Sequence, residues 1–151
     1  PKDDLDSLTL AGLETNLRVN AWAPFALSRA FAKRVGRGRI VNLLDSRIVD
    51  ADWTHVGYIL SKHVLAALTR MTALAYAPDI TVNGVAPGLI LPPPGAPHEF
   101  IDERTGTVPL ERHGMPEEIA RAVVFLAESE FVTGEVIFVD GGRHLQEYRR
   151  G

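Results

Sequence analysis

Tyr58-Ile59-Leu60-Ser61-Lys62 separates a phenol and an ammonium by four residues. On a helix that spacing sets both groups on one face, one turn apart. Asp45 lies thirteen residues before the tyrosine, in Val41-Asn42-Leu43-Leu44-Asp45-Ser46. An ordinary tyrosine titrates at about 10, too high for efficient proton transfer at neutral pH. A cation within about 6 Å favours phenolate and lowers that value. Lys62 is the expected source of that field and can also reach a ribose hydroxyl of a bound cofactor. The group so formed is an acid suited to reducing a C=O or C=N bond. The bland reading of the same spacing is a solvent-facing pair with no role.

The elements that must position these groups alternate. Leu8 to about Val35 reads as a long helix, with Leu13, Leu17, Trp22, Phe25, Ala26, Ala30 and Phe31 near helical spacing and Pro24 bending or dividing it. Gly36-Arg37-Gly38 stops it, and Arg39 to Leu44 is a short apolar strand. A polar connection from Asp45 to about Asp52 leads to a second helix, Val56 to about Ala77. Ile80 to Val85 is a second strand, closed by Pro87-Gly88. Leu89 to Gly106, with three consecutive prolines at 92–94, is expected to be a loop or lid with little predictable structure. Pro116-Glu117-Glu118 opens a helix with acidic residues in its favourable first turn, running to about Ser129. Glu135 to Val139 is a last strand, ended by Asp140-Gly141-Gly142.

Helix and strand in alternation predict an α/β fold, part of an open, mostly parallel, doubly wound sheet with flanking helices. Such sheets bind ligands at the carboxyl ends of their strands, where Asp45 and Pro87-Gly88 fall. Three strands leave a sheet edge open, so the sheet is expected to continue in further polypeptide or a partner.

A chain of 151 residues, 46% hydrophobic and 23% charged, suits one domain with a sizeable core. Cysteine is absent, which excludes a disulfide framework and thiolate chemistry. A net charge of −3 with no basic stripe predicts no nucleic-acid partner. No apolar run approaches membrane-spanning length, and the acidic start is no signal peptide, so no membrane association and a cytoplasmic location are expected. The five histidines show no metal-ligand spacing, and no metal is expected. Trp22, Met71 and Phe125 are expected to be packing residues.

In their order, these segments resemble the short-chain dehydrogenase/reductase family from about Leu10 through Gly142. Arg39-Ile40-Val41-Asn42 is similar to its fifth strand, and Tyr58-Ile59-Leu60-Ser61-Lys62 to its catalytic motif. Ile80 through Gly88 is similar to its sixth strand and the turn beside the nicotinamide. Pro109-Leu110-Glu111-Arg112, Pro116 through Ala120, Thr133-Gly134 and Val139-Asp140-Gly141-Gly142 complete the pattern. The resemblance implies a Rossmann-type fold. It implies catalytic roles for Tyr58 and Lys62, and for Asn20 as the helix asparagine that holds a water and the lysine in a proton relay. Tyr58, Lys62, Pro87, Gly88, Leu89 and Ile90 are the implied cofactor contacts.

Family members usually carry serine where this chain has Asp45. An ionised aspartate cannot donate as a serine hydroxyl does; it accepts from N–H groups or orients the tyrosine. Aspartate there resembles the pteridine reductase and dihydrofolate–dihydromonapterin reductase-like branch. That branch implies NADPH as cofactor, a dihydropterin or dihydrofolate as substrate, and reduction of a C=N bond. Asp45, Tyr58, Leu91 and Pro92 are the implied substrate contacts; the apolar turn Leu89-Ile90-Leu91 and its prolines also resemble this branch. His98, Phe100 and His55 are candidate wall residues only. Three other readings stay open. Asp45 could merely cap a turn; Ser46 could take the serine role in a general carbonyl or alcohol oxidoreductase; or the chain could be a non-catalytic binding or scaffolding subunit.

The family's T-G-x-x-x-G-x-G loop and N-A-G segment do not occur here. The resemblance therefore implies that residues 1–151 are the C-terminal half of a single domain whose N-terminal strands, about 100 residues, lie outside this sequence. Alone, the chain is expected to bind little cofactor and to be inactive. The family also implies a homo-oligomer, a tetramer, with the two long helices at its contacts.

Overall fold

The structure, a computed structural model, describes residues 3–50, 52–93, 95–97 and 99–145. Three parallel strands run in the order β1 (Gly38–Leu43), β2 (Ile80–Pro87) and β3 (Val136–Val139). Gly38 pairs with Ile80 and Leu43 with Val85, while Gly84 pairs with Val136 and Pro87 with Val139. The carboxyl ends of all three strands therefore share one rim, which carries Asp45, Gly88 and Asp140. The α/β class and parallel topology agree with the sequence reading.

Even-numbered strand positions face α2 (Ala23–Val35) and α3 (Val56–Tyr76), because strand side chains alternate in direction. Ile80 and Val82 pack there with Ala73, Phe31 and Ile40. Nearer the rim, Leu44 and Ala86 pack with Leu65, Val136 and Phe138. Asn42 is buried on this face and donates to Thr69 Oγ1 at 2.9 Å. Odd positions face the layer of α5 (Pro116–Glu128). From that side Arg39 reaches Ser129 and Glu130, and Asn83 donates to the Val132 carbonyl and accepts from Glu135 N–H. These bonds satisfy a buried amide and fix how the chain enters β3.

The first long helix is present as expected, and at Pro24 it is not divided. It consists of α1 (Leu10–Leu17), a π-helical turn over Arg18–Trp22, and α2, with no break in the helical path. Pro24 has no N–H and cannot donate to the carbonyl of Asn20, four residues back, so an α-helical bond there is chemically impossible. A widened turn accommodates that loss instead of a stop. The stretch after β2, whose structure the sequence did not predict, carries short elements. It contains α4 (Glu99–Asp102) and a 3₁₀ turn (Thr105–Thr107), and Ile101 and Val108 are buried. Those two apolar residues give the segment a core to fold onto. Pro94 and His98 lie outside the described residues. Trp22, Met71 and Phe125, expected to pack, are each more than half exposed on outward helix faces. Among the described residues, no helix is long and apolar enough to cross a membrane.

The start of α3 is held from a distance. His55, its preceding residue, makes no side-chain cap. Asp3 substitutes: its carbonyl accepts from Val56 N–H at 2.9 Å and its carboxylate from Gly57 N–H at 3.0 Å. Both are first-turn donors with no intrahelical partner. Replacing a capping carboxylate by alanine typically costs about 1 kcal/mol. Asp3→Ala is expected to lower stability by about that amount in urea titration, with faster hydrogen exchange concentrated at Val56–Tyr58. Uniform exchange along α3 would contradict the cap.

Candidate active site

Asp45 leaves the end of β1, and Tyr58 stands in the first turn of α3. The fold brings them together: Tyr58 Oη donates to Asp45 Oδ2 at 3.0 Å. Asp45, not Ser46, meets the phenol; Ser46 is buried at 2% exposure in the 3₁₀ turn Ser46–Val49. Asp45 also caps that turn by accepting from Arg47 N–H at 2.9 Å. The turn cap and the tyrosine contact are therefore compatible roles of one carboxylate.

Arg47 is the participant that the sequence reading missed. Its Nε lies 3.1 Å from Asp45 Oδ1, its Nη2 3.0 Å from Asp45 Oδ2, and its Nη1 3.0 Å from Asp52 Oδ2. This is the planar fork geometry that arginine offers a carboxylate. The three side chains are 15–21% exposed, so the pair is only partly screened by solvent. Arg47 also sits 5.5 Å from the centre of the Tyr58 ring. Asp-x-Arg at the start of a turn was the available signal, but spacing alone does not say where the guanidinium points.

Lys62 is one turn beyond Tyr58, 5.7 Å from its ring centre, and donates to the Leu43 carbonyl at 2.8 Å. With Asn20, Ser28 and Asn42 it lines a groove of about 440 Å³ along the open edge of β1. Asn20 lies in the π-helical turn, its amide 3.4 Å from Asn16 Oδ1. Asp45 and Tyr58 are not among the lining residues, and Lys62 is the residue that joins the groove to the aspartate–tyrosine pair.

The charge states correct one expectation. Burial and the negative charge and acceptor of Asp45 raise the Tyr58 pKa above its ordinary value, with Arg47 partly opposing. Lys62 was expected to lower it, but its ammonium is turned to the Leu43 carbonyl and is itself made less basic by burial. For Asp45, burial pushes upward, but the bonds and charge of Arg47, with the Tyr58 hydroxyl, outweigh it and hold the carboxylate below its ordinary value. The resting pair is thus an ionised aspartate accepting from a neutral phenol.

On the same rim, Pro87, Gly88, Leu89 and Ile90 form a half-buried wall. Gly88 N–H donates to the Val139 carbonyl, and Leu89 accepts from Gly114 N–H. Leu91 is exposed and Pro92 half-buried.

Residues 1–144 match the family model described as enoyl-(acyl carrier protein) reductase. The chain is 36% identical over 155 aligned residues to pteridine reductase 1 of Leishmania tarentolae, covering 94% of this chain and 53% of that protein. It is 40% identical over 116 residues to 7alpha-hydroxysteroid dehydrogenase of Clostridium sardiniense, covering 73% of this chain and 44% of that protein. Its fold superposes on FolM alternative dihydrofolate reductase 1 of Brucella suis, solved in complex with NADP. The TM-score is 0.90 at 31% identity, with 96% of this chain and 60% of that one covered. The chain thus spans about half the length of the curated relatives it matches. Motif order, parallel topology and these likenesses agree: the chain belongs to the short-chain dehydrogenase/reductase family, in its pteridine reductase-like branch.

Proposed function

We propose that this chain supplies the acid–base half of an NADPH-dependent reductase acting on the C=N bond of a dihydropterin or dihydrofolate. The observation that carries this reading is the 3.0 Å hydrogen bond from Tyr58 to an aspartate at the place usually held by serine. Likeness to a pteridine reductase and to alternative dihydrofolate reductases supports it.

The residues fit a nicotinamide nucleotide. An ammonium carries three donors, and Lys62 directs one to Leu43 while facing the groove, so it can serve ribose hydroxyls. Pro87, Gly88, Leu89 and Ile90 offer a largely backbone wall beside it. The bound cofactor supplies the hydride that reduces the ring carbon. Tyr58 gives its proton to the ring nitrogen, its hydroxyl turning from Asp45 to the substrate, so one hydride and one proton complete the C–H and N–H bonds. Asp45 fixes the phenol, Lys62 and Arg47 offset the phenolate left behind, and Asn20 places the water through which Lys62 returns a proton. Leu91 and Pro92 border the substrate. In this reading the chain, residues 1–151, works with a glycine-rich nucleotide half in one cytoplasmic domain. The exposed α3 residues Leu60, Val64, Met71 and Leu74 are covered by other subunits of a tetramer.

The test is NADPH oxidation by the complete reductase domain with a dihydropterin and, in parallel, a simple ketone. Turnover of the dihydropterin supports the reading, and turnover of the ketone alone defeats it. Asp45→Ser is expected to shift relative kcat/KM toward the ketone by about tenfold or more. A general carbonyl or alcohol oxidoreductase is the second reading, favoured by the likeness to a hydroxysteroid dehydrogenase.

A further inference from the structure

A carboxylate offers about four lone-pair sites. At Asp45 four donors occupy them. Oδ1 accepts from Arg47 N–H and Nε, while Oδ2 accepts from Arg47 Nη2 and Tyr58 Oη. Three of those four donors belong to one residue. Arg47 is itself anchored on its far side by Asp52, whose other oxygen accepts from Thr54 N–H and Oγ1. The result is a chain of fixed partners, Thr54–Asp52–Arg47–Asp45–Tyr58, that ends on the phenol.

We propose that Arg47 is a positioning residue for proton transfer, holding three of the four acceptor sites of Asp45 so that the carboxylate is directed at the Tyr58 phenol. The inference rests on the reading of Tyr58 as proton donor. It has a consequence for specificity. While Tyr58 donates to it, the carboxylate has every acceptor site committed and does not receive a ring amino or N–H group of the substrate; Arg47 leaves open only the one site that the phenol gives up. Asp45 then selects the position of the phenol, and substrate recognition comes from the wall after β2. When the Tyr58 hydroxyl turns to the substrate, it vacates the one Asp45 site that Arg47 does not hold.

Arg47 also occupies the electrostatic place expected of Lys62. Both cations stand at similar distance from the Tyr58 ring, but Lys62 spends a donor on Leu43 while the Arg47 guanidinium is directed at the carboxylate–phenol pair. The charged and titratable groups around Asp45 are Arg47 and Asp52 on its own connection and Tyr58 and Lys62 on α3. Arg143 and His144 stand on the turn after β3 that packs against residues 46–49. Only Arg47 makes a direct ion pair with Asp45 among the described residues.

The experiment compares Arg47→Gln, Arg47→Lys and Tyr58→Phe in the complete reductase domain, recording kcat/KM for a dihydropterin against pH. In the unchanged protein Asp45 stays ionised to low pH, because Arg47 opposes the upward push of burial. Removing that cation leaves burial opposed only by the Tyr58 hydroxyl and the backbone N–H at position 47. Arg47→Gln is therefore expected to move the acid limb upward by about one pH unit or more and to lower kcat about 10- to 100-fold, with substrate KM changed less than about threefold. Arg47→Lys should restore the limb but only part of kcat, since charge returns without the fork. A superimposable pH profile in Arg47→Gln overturns the proposal, as does a loss confined to substrate KM. Tyr58→Phe separates the two ideas: if it retains turnover, the reading of Tyr58 as donor fails first. Should Arg47→Gln not fold, carbon NMR of the Asp45 carboxyl in the unchanged protein decides. A midpoint below the ordinary 3.8 is expected, and one at or above it overturns the proposal.

Discussion

Tyr58→Phe is expected to lower kcat for the dihydropterin by roughly 100- to 10,000-fold, the range typical of losing a positioned general acid. The fold should hardly notice. The phenylalanine ring keeps its place between Arg47 and Lys62. Asp45 loses one of four donors but remains ion-paired to Arg47. One hydrogen bond in a partly solvated site is worth about 1 kcal/mol, so the change in denaturation midpoint should be small. Because burial and Asp45 raise the Tyr58 pKa, the phenol is the protonated form throughout the physiological range, and activity should not be lost there through its ionisation. NADPH oxidation set beside urea unfolding of the same variant checks both statements. Turnover within a few-fold of the unchanged protein would remove Tyr58 from the chemistry.

Gly88→Ala is expected to cost more in stability than any other substitution on the rim. A Cβ at Gly88 would lie 2.5 Å from Asp140 Cβ and 2.6 Å from its Cα, and backbone cannot step aside as a flexible side chain can. Asp140 is itself fixed: its buried carboxylate accepts from Gly142 N–H at 3.0 Å and His144 N–H at 2.7 Å. Gly88 in turn donates to the Val139 carbonyl at 3.1 Å. The overlap must splay the ends of β2 and β3, and overpacking of this kind costs about 1–3 kcal/mol. The same displacement moves Pro87–Ile90, the proposed nicotinamide wall, so cofactor affinity should weaken as well. Thermal unfolding and a cofactor titration measure the two effects. An unchanged melting temperature would mean that the rim is looser than its packing indicates.

Linkage at Asp45 gives the stability of the chain a direction with pH. Its folded pKa is depressed, so its contribution is fully present above the unfolded carboxylate value near 3.8 and is lost as pH falls through the lower folded value. Arg47 is the main cause of that depression, with a smaller part from the Tyr58 hydroxyl, which ties the acid limit of the site chiefly to a residue with no proposed contact to substrate.

How much of this was legible follows from the range of the interaction concerned. Tyr58 and Lys62 share a face because the helix repeat dictates it, and the strands at Ile40 and Ile80 are apolar runs bounded by glycine and proline. The aspartate thirteen residues before Tyr58 pointed to its branch because residue type and offset are read directly from the chain. Boundaries drifted by a residue or two, and the effect of Pro24 stayed open, since a missing N–H permits either a break or a π turn. Only the tertiary structure showed Asp3 capping α3 across more than fifty residues of chain, Gly88 pressed on Asp140, and Lys62 turned toward Leu43. It also showed that Arg47, not Lys62, is the cation committed to the aspartate–tyrosine pair. Spacing along one helix or strand determines which residue types can meet. The directions of long side chains, and the charge that reaches a given atom, depend on which other segments arrive beside them, and that is decided when the sheet and its helices close.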